Sequence, residues 1–422
     1  MTKMQMTKDS REPLPDGWRW VRLGDVLSAL ESGSRPKGGA VGVESGVRSI
    51  SAEHMTTHGT FDFSIKRFVP QEFYDEMTRG RIQPGDVLIV KDGATTGKTC
   101  FVDETFPFRE AVVNEHVFIC RASQDQVRSI FLFYWLWGPQ GQYEIRSFFQ
   151  GAAIGGISQG FVHHVSIPLP PLDEQRRIAG VLREQMAAVE KARAAAQARL
   201  EAVKTLPAAF LRQVFPHPGQ ALPNGWRWVR LGDKATLLPS RSIVSDGDAQ
   251  VQAITTACLS ESGFNPDGVK PARMRGRDVQ ECLVTTGEVL IARSNTPELV
   301  GRACMFDGIP EKAVATDLTI RVQANADLSP YFLSRYLSFL FVLGYWRDQA
   351  GGASGSMKKI TRTQVMDIAV PVPCPAEQRR IARDLREQMA AVEKARAAAE
   401  EEQNTINALP AALLRRAFKG EV

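Results

Sequence analysis

The sequence predicts an α+β protein made as a tandem repeat: two globular domains with small, curved, mostly antiparallel sheets, joined by two long helices. Three observations point there. Whole blocks of sequence recur, one of the recurring blocks carries an apolar stripe of helical period, and the stretches between the blocks break into short strands punctuated by Gly, Pro and Asp.

The repeat organises everything else. LPDGWRWVRLGD (Leu14 to Asp25) returns as LPNGWRWVRLGD (Leu222 to Asp233). EQRRIAGVLREQMAAVEKARAAA (Glu174 to Ala196) returns at Glu377 to Ala399, changed only where Gly180 and Val181 become Arg383 and Asp384. LPAAFLRQVF (Leu206 to Phe215) returns as LPAALLRRAF (Leu409 to Phe418). Between these copies, residues 27–165 and 235–368 share only a faint pattern. PGDVLIVKDG (Pro84 to Gly93) answers TGEVLIARSN (Thr286 to Asn295), and GKTCF from Gly97 answers GRACMF from Gly301. A glycine-rich stretch, QGAAIGGISQG (Gln150 to Gly160), stands where QAGGASGSMKKI (Gln349 to Ile360) stands later. Free drift would spread differences evenly. A fixed frame with two divergent inserts is the pattern of one scaffold presenting two binding surfaces. The expected divisions are 1–170, 171–218, 219–372 and 373–422.

The recurring helix begins near Asp173. Pro168, Pro170 and Pro171 end the strand before it, and Asp173 and Glu174 place negative charge at its positive end. Ile178, Leu182, Gln185, Val189, Ala192, Ala196, Arg199, Val203 and Leu206 alternate by four and three, a heptad stripe. The second copy gives Ile381, Leu385, Gln388, Val392, Ala395, Ala399, Glu402, Ile406 and Leu409. Such a stripe needs cover, and the nearest cover is the other copy. The expected interhelical core is Ile178, Leu182, Val189 and Val203 with Ile381, Leu385, Val392 and Ile406. An antiparallel pair would set Gln185 against Glu402 and Arg199 against Gln388. A parallel pair would set Gln185 against Gln388 and Arg199 against Glu402, so the pattern leaves the orientation open. About 32 residues per helix give roughly 48 Å.

Each insert opens on a Trp-rich strand (Trp18 and Trp20, then Trp226 and Trp228). A short helix is expected from Leu23 to Leu30. Strands are expected at Val47 to Ser51, Val87 to Val90, Thr99 to Val102, Val117 to Cys120 and Val165 to Pro168. The aromatic run from Arg128 to Leu136, matched by Tyr331 to Tyr345, reads as a buried helix.

Composition bounds the function. A net charge of +5 on 422 residues permits a nucleic-acid surface without demanding one. The six cysteines form no CxxC pair, which removes zinc ribbons and thioredoxin-like redox sites and suits reduced cytoplasmic thiols. MTKMQMTKDS has no apolar leader, and no run is long enough to span a membrane. No catalytic residue, metal or cofactor is expected. GATTGKT (Gly93 to Thr99) has three residues between its glycines where a phosphate loop has four, and a strand-like CFV follows it. His54 and His58 have the spacing of a zinc-protease pair but lack its Glu, so they are expected on a polar or DNA-facing surface.

The GDVLI run with its following glycines, the Gly/Ser-rich loop, the strand ending in IPLPPL (Ile167 to Leu172) and EQRRIA at the helix start resemble the specificity subunits of type I restriction-modification systems. The resemblance covers nearly the whole chain and both repeats. It implies two target recognition domains, each reading one half of an asymmetric, interrupted DNA target. It implies that the helices form an antiparallel coiled coil with a pseudo-two-fold arrangement, holding the domains about one DNA turn apart. The implied partners are double-stranded DNA, two modification subunits carrying an adenine methyltransferase, and ATP-dependent restriction subunits, while the chain does no chemistry itself. The second copy departs at PVPCPAEQ, where Cys374-Pro375-Ala376 replaces Pro171-Leu172-Asp173 and alters the lead into the helix. Two other readings stand beside it: a recognition subunit of a type II-like system, and a two-headed coiled-coil adaptor for proteins.

Base edges are read by donors and acceptors, whereas phosphate contacts position the protein. The candidates on loops beside strands are Arg35, Lys37, Lys91, Thr95, Thr96 and Lys98 in the first insert. In the second they are Arg241, Arg273, Arg275, Arg277, Arg293, Asn295, Lys358 and Lys359. KPARMRGRD (Lys270 to Asp278) is the densest basic cluster.

Overall fold

The computed structural model describes residues 13–37, 42–150, 155–354 and 357–422. Its contacts divide the chain into two units, one of residues 1–195 with 403–422 and the other of residues 196–402. Each unit therefore owns one insert, the first part of one long helix and the last part of the other.

The first unit runs β1 (Arg19–Arg22), β2 (Leu27–Ser32), β3 (Val47–Ile50), β4 (Phe68–Val69), α1 (Gln71–Glu76), β5 (Val87–Val90), β6 (Thr99–Phe101), β7 (Ala111–Val113) and β8 (Val117–Ala122). It continues with α2 (Ser129–Trp137), α3 (Pro139–Arg146), β9 (Ser166–Leu169) and the start of α4 (Leu172–Val214). The central sheet has the order β2-β8-β5-β6 and is antiparallel throughout. A smaller sheet, β4-β3-β7, contains one parallel pair, and β1 pairs with β9. The helix expected at Leu23 to Leu30 does not form. Leu23–Val26 is one 3-10 turn, and the residues from Leu27 on pair with β8 instead. A sheet partner outweighs a weak local preference for helix.

The second unit repeats the plan with β10 (Arg227–Arg230), β11 (Ala235–Leu238), β12 (Ala249–Ile254), β13 (Lys270–Met274), α5 (Gly276–Cys282), β14 (Val289–Ala292) and β15 (Ser294–Asn295). Then come β16 (Ala303–Met305), β17 (Ala313–Ala315), β18 (Thr319–Ala324), α6 (Pro330–Val342), α7 (Tyr345–Gln349), β19 (Gly351–Ser354) and β20 (Met357–Lys359). The chain closes with α8 (Arg362–Met366), β21 (Ala369–Val372) and α9 (Pro375–Ala417). Its sheets are β11-β18-β14-β16, β13-β12-β17, β10-β21 and a ribbon β15-β20-β19.

The shared motifs turn out to be structural fasteners. The acid of GDVLI, Asp86, accepts from the Gln83 amide (2.7 Å) and holds Arg121 (2.8 Å). Glu288 of GEVLI accepts from the Thr285 amide (2.7 Å) and holds Arg321 (2.8 Å), with both side chains almost fully buried. The Gln of EQRRIA pins each long helix to its insert. Gln175 donates to the Pro170 and Gln126 carbonyls and accepts from the Arg128 amide; Gln378 donates to the Pro373 and Asp327 carbonyls and accepts from the Ser329 amide. Both glutamines are buried, so these bonds answer groups that water cannot reach. The aromatic runs are buried as expected. α2 receives Trp18 on Phe131 and Trp20 on Trp135, and α6 receives Trp226 on Phe332.

Each long helix has 43 residues, longer than the 32 expected, because it continues through Pro207 or Pro410 into the recurring LPAA block. At 1.5 Å per residue that is about 65 Å. The two run antiparallel. In the first unit Ile178 and Leu182 share a core with Leu414, Ala417 and Phe418; in the second Ile381, Leu385 and Met389 share one with Leu211 and Phe215. The expected polar pairing has the wrong register. Arg199 bonds Glu402 at 2.5 Å, Arg193 bonds Asn407 at 2.9 Å, and the Gln185 Oε1 atom is buried without a partner. The expected register differs by about two heptads, a slip to which a heptad stripe is blind. The stripe also drifts. Ile178, Leu182, Val189, Ile381, Leu385 and Val392 are buried, but Val203 and Ile406 are only half-buried, and Arg199, Ala395 and Leu409 face water. Burial passes to Leu200, Pro207 and Leu211, and to Pro410 and Leu414, as a helix of 3.6 residues per turn walks off a 3.5 repeat.

Candidate nucleic-acid interface

In each central sheet the strand ends converge. Ser32 at the end of β2 faces Phe118 of β8, and Val90 at the end of β5 faces Val117 at the start of β8. The loops leaving β2 and β5 and the loop entering β8 therefore share one sheet end. The second unit builds the same end from β11, β14 and β18.

The backbone frame of the two ends is the same. The Lys91 amide donates to the His116 carbonyl (2.9 Å), and the Arg293 amide donates to Leu318 (2.8 Å). The Ile157 amide donates to Lys91 (2.7 Å), and the Ile360 amide donates to Arg293 (3.0 Å). The C-terminal ends of both glycine-rich segments, at Ile157 and Ile360, are thereby drawn alongside the first residue after β5 or β14; residues 151–154 and 355–356 lie outside the described residues. The turn inside GATTGKT is a hairpin corner: Gly97 (φ +88°) and Gly301 (φ +81°) each return an amide to the strand, to Val90 and Ala292. A left-handed φ there suits glycine. β6 follows directly, so no helix N-terminus is available for a phosphate.

The tips differ. In the first unit His116 lies between two carboxylates, with Nδ1 2.7 Å from Asp92 and Nε2 3.1 Å from Glu115. Arg35 is ion-paired to Glu115 and lies 2.9 Å from the same Nε2. Lys91 is half-buried with its ammonium 5.6 Å from the Phe118 ring, and Lys37 and Thr95 are exposed. In the second unit Arg293 donates to the Asp317 carbonyl (3.3 Å), the Asp317 amide donates to Arg241 (3.0 Å), and Arg241 pairs with Glu281 (3.2 Å). The pairing of β15 with β20 sets Asn295 beside Lys358 and Ser294 beside Lys359.

The structure sorts the expected residues. Arg35 and Lys91 border the first sheet end, with Lys37 exposed further along the loop that leaves β2, and Arg241, Arg293, Asn295, Lys358 and Lys359 border the second. Arg273, Arg275 and Arg277 form a separate exposed group on β13 and at the start of α5. Arg273 bonds the Gly247 carbonyl at 2.7 Å. Two residues are spent internally. Thr96 is buried and donates to the Gly93 carbonyl (2.7 Å), while the Lys98 ammonium donates to the carbonyls of Met55 (2.7 Å) and Ala52 (3.2 Å). His54 is not on the surface either. It is fully buried, accepting from the Ser51 amide (3.0 Å) and reaching the Ile65 carbonyl (3.2 Å), and burial pushes its pKa below the usual value. Its side chain closes a 3-10 turn, a task its spacing to His58 could not reveal. Asp92, Glu115, His116, Asp317 and Leu318 were not expected at the tips. None of them is an Arg or a Lys, and the one signal that marks them is their place just before a matched strand or after a matched VLIV/VLIA run.

Among the described residues no group of three or more His, Cys, Asp or Glu side chains could hold a metal ion, and no helix is long and apolar enough to cross a membrane.

Residues 15–196 match the family described as type I restriction modification DNA specificity domain. Over 98% of its length the chain is 21% identical to the type I restriction enzyme StySPI specificity subunit of Salmonella potsdam, covering 91% of that protein. It is 21% identical over 88% of its length to the MjaVIII specificity subunit of Methanocaldococcus jannaschii, covering 86% of it. Among solved structures, one described under complex assembly and conformational transition of the type I R-M system superposes with a TM-score of 0.76 at 23% identity, covering 98% of this chain and all of that one. The HsdS subunit of Thermoanaerobacter tengcongensis superposes with a TM-score of 0.59 at 23% identity, covering 99% of this chain and all of that one. The chain thus carries a type I DNA specificity domain, and its fold is that of these subunits. Over nearly its whole length the chain is similar to specificity subunits of type I restriction-modification systems.

Proposed function

We propose that the chain chooses an interrupted DNA target for a type I restriction-modification complex, reading one half-site with the sheet end of each unit. The observation that carries this is the pairing of one backbone frame with two different tips. The Lys91–His116 and Arg293–Leu318 backbone bonds match, while the side chains around them do not. A shared frame delivers both tips in the same way, and different tips read different bases. The helices, fixed in length and pinned by Gln175 and Gln378, act as the spacer that sets the gap between half-sites. Their near-identical exposed faces suit two copies of one partner, the modification subunit, with restriction subunits joining afterwards.

The test is co-expression with the candidate methyltransferase partner, followed by purification and methylome sequencing. Adenine methylation in a split motif of fixed gap, and two methyltransferase subunits per chain, are expected. The reading fails if no methylation depends on the chain, or if purified complex binds duplex DNA with no loss of affinity as salt rises.

A further inference from the structure

Three exposed large apolar side chains of the second unit fall on segments that border Arg293. Leu318 (42% exposed) precedes β18 and lends its carbonyl to the Arg293 amide. Ile243 (50%) follows Ser242, whose hydroxyl donates to Asp317 (2.8 Å). Met357 (44%) opens β20, the strand whose next residues pair with Asn295 and Ser294. Around them stand Arg241, Arg293, Lys358 and Lys359. Leucine left in water amid cations gains nothing for folding, because its apolar surface stays hydrated. Among the described residues of the first unit the matching place holds a single exposed large apolar side chain, Phe149 (45%), next to Gln150, which pairs with Gly156. There the equivalent of Leu318 is His116, held between Asp92 and Glu115.

A cationic rim matches a phosphate backbone, and within that rim the base-edge group that an aliphatic side chain can recognise is the C5-methyl of thymine in the major groove. We propose that Leu318 is a specificity-determining residue that reads a thymine methyl in one half-site, while at the same backbone position of the first unit the polar cluster that His116 holds together, with Asp92, Glu115 and Arg35, offers hydrogen-bonding groups to the other. This rests on the function proposed above and assigns part of its chemistry. The two half-sites then differ in kind at corresponding positions: one demands a thymine methyl, the other a hydrogen-bonding group.

The experiment uses the full chain in its methyltransferase complex. Once the split motif is known, duplexes are made with deoxyuridine replacing each half-site thymidine in turn, which removes only the methyl. Wild-type complex is expected to lose about tenfold in affinity at one thymine of one half-site, in the lower part of the range for a base contact. Leu318→Ala is expected to bind thymine and uracil duplexes equally at that position, leaving the other half-site and the gap unchanged. Leu318→Met, which keeps an apolar tip, restores most of the discrimination. His116→Ala is expected to relax the other half-site alone. The assignment is overturned if no uracil substitution weakens the wild type, or if Leu318→Ala weakens thymine and uracil duplexes alike while still distinguishing them. A wild-type complex with no split motif overturns the function proposed above as well, which separates the two failures.

Discussion

The small sheets of the two units are built on the same connections but covered differently. In the first unit β3 carries Arg48, 4% exposed, whose guanidinium lies 5.2 Å from the Phe108 ring and 5.5 Å from Phe68 and donates to the Phe63 and Ile65 carbonyls. Phe61, Phe63, Phe106 and Phe108 pack over the neighbouring core, Phe61 stacked on Phe63 and the other contacts edge to face. In the second unit the residue with the same pairing partner is Gln252, and Gln250 and Gln252 both lie exposed on β12. Both sheets keep the same parallel pair, β3 with β7 and β12 with β17. Strand pairing is fixed by backbone bonds that many sequences satisfy, whereas the cover is free to change. Divergence has been spent on covers and tips and withheld from the fasteners.

The largest expected effect tests the fasteners. Glu288 and Arg321 are 2% and 3% exposed, and Arg321 also donates to the Pro239, Glu281 and Leu283 carbonyls. Arg321→Ala leaves a buried carboxylate unpaired and is expected to destabilise the second unit by about 3–5 kcal/mol. Asp86 is as buried as Glu288, but Arg121 itself is 22% exposed, so water can enter where its side chain is removed and Arg121→Ala should cost less, about 1–3 kcal/mol. Hydrogen exchange resolved by unit measures both. Equal costs, or a loss that appears in the wrong unit, would break the equivalence.

A middle-sized effect comes from the helix ends. In the first unit Phe418 packs on Phe131 (5.2 Å) and Trp135 (4.9 Å); in the second Phe215 packs on Phe332 (5.3 Å) and Tyr336 (5.5 Å). A chain of residues 1–220 lacks Phe418 but keeps Phe215 at the end of the matching block. Two such half-chains should exchange helix ends, each Phe215 filling the other's empty place, and form a dimer that reads a palindromic split site. Sedimentation of the half-chain decides it, and a strictly monomeric species would count against the exchange.

How far the sequence already shows this molecule varies with the physics of each part. The repeat, the aromatic helices and most strands are legible, because burial imprints a period on the chain. The helix orientation and register are not, since one heptad stripe fits several slips; the pattern offers Arg199 with Glu402 only for a parallel pair, yet the contact occurs in an antiparallel one, beside Arg193 with Asn407. Charge picks out candidate interface residues without showing which side chains are free to reach outward. Lys98 and Thr96 look like DNA ligands in the string, yet local carbonyls claim them. Leu318 and His116 look like nothing until the backbone bond to Arg293 or Lys91 places them at a tip.

The smallest effect is a matter of pH. Ser51 and Thr255 open equivalent 3-10 turns, which end on His54 in the first unit and Cys258 in the second. Burial lowers the pKa of His54, and its bonds to the Ser51 amide and the Ile65 carbonyl fit the neutral ring. Above the unfolded histidine pKa, about 6.5, both states are neutral and His54 adds no pH dependence. As pH falls below that value the unfolded chain takes up a proton that the folded one refuses, so the first unit loses stability until the folded pKa is passed. The slope from one such group is at most about 1.4 kcal/mol per pH unit. Cys258 carries no charge in this range, since burial raises its thiol pKa. Exchange protection measured between pH 7 and pH 5.5 should therefore fall more in the first unit than in the second, and His54→Asn should remove the difference. If the variant keeps the same acid sensitivity, the difference arises elsewhere in the first unit and the comparison of the two turns fails.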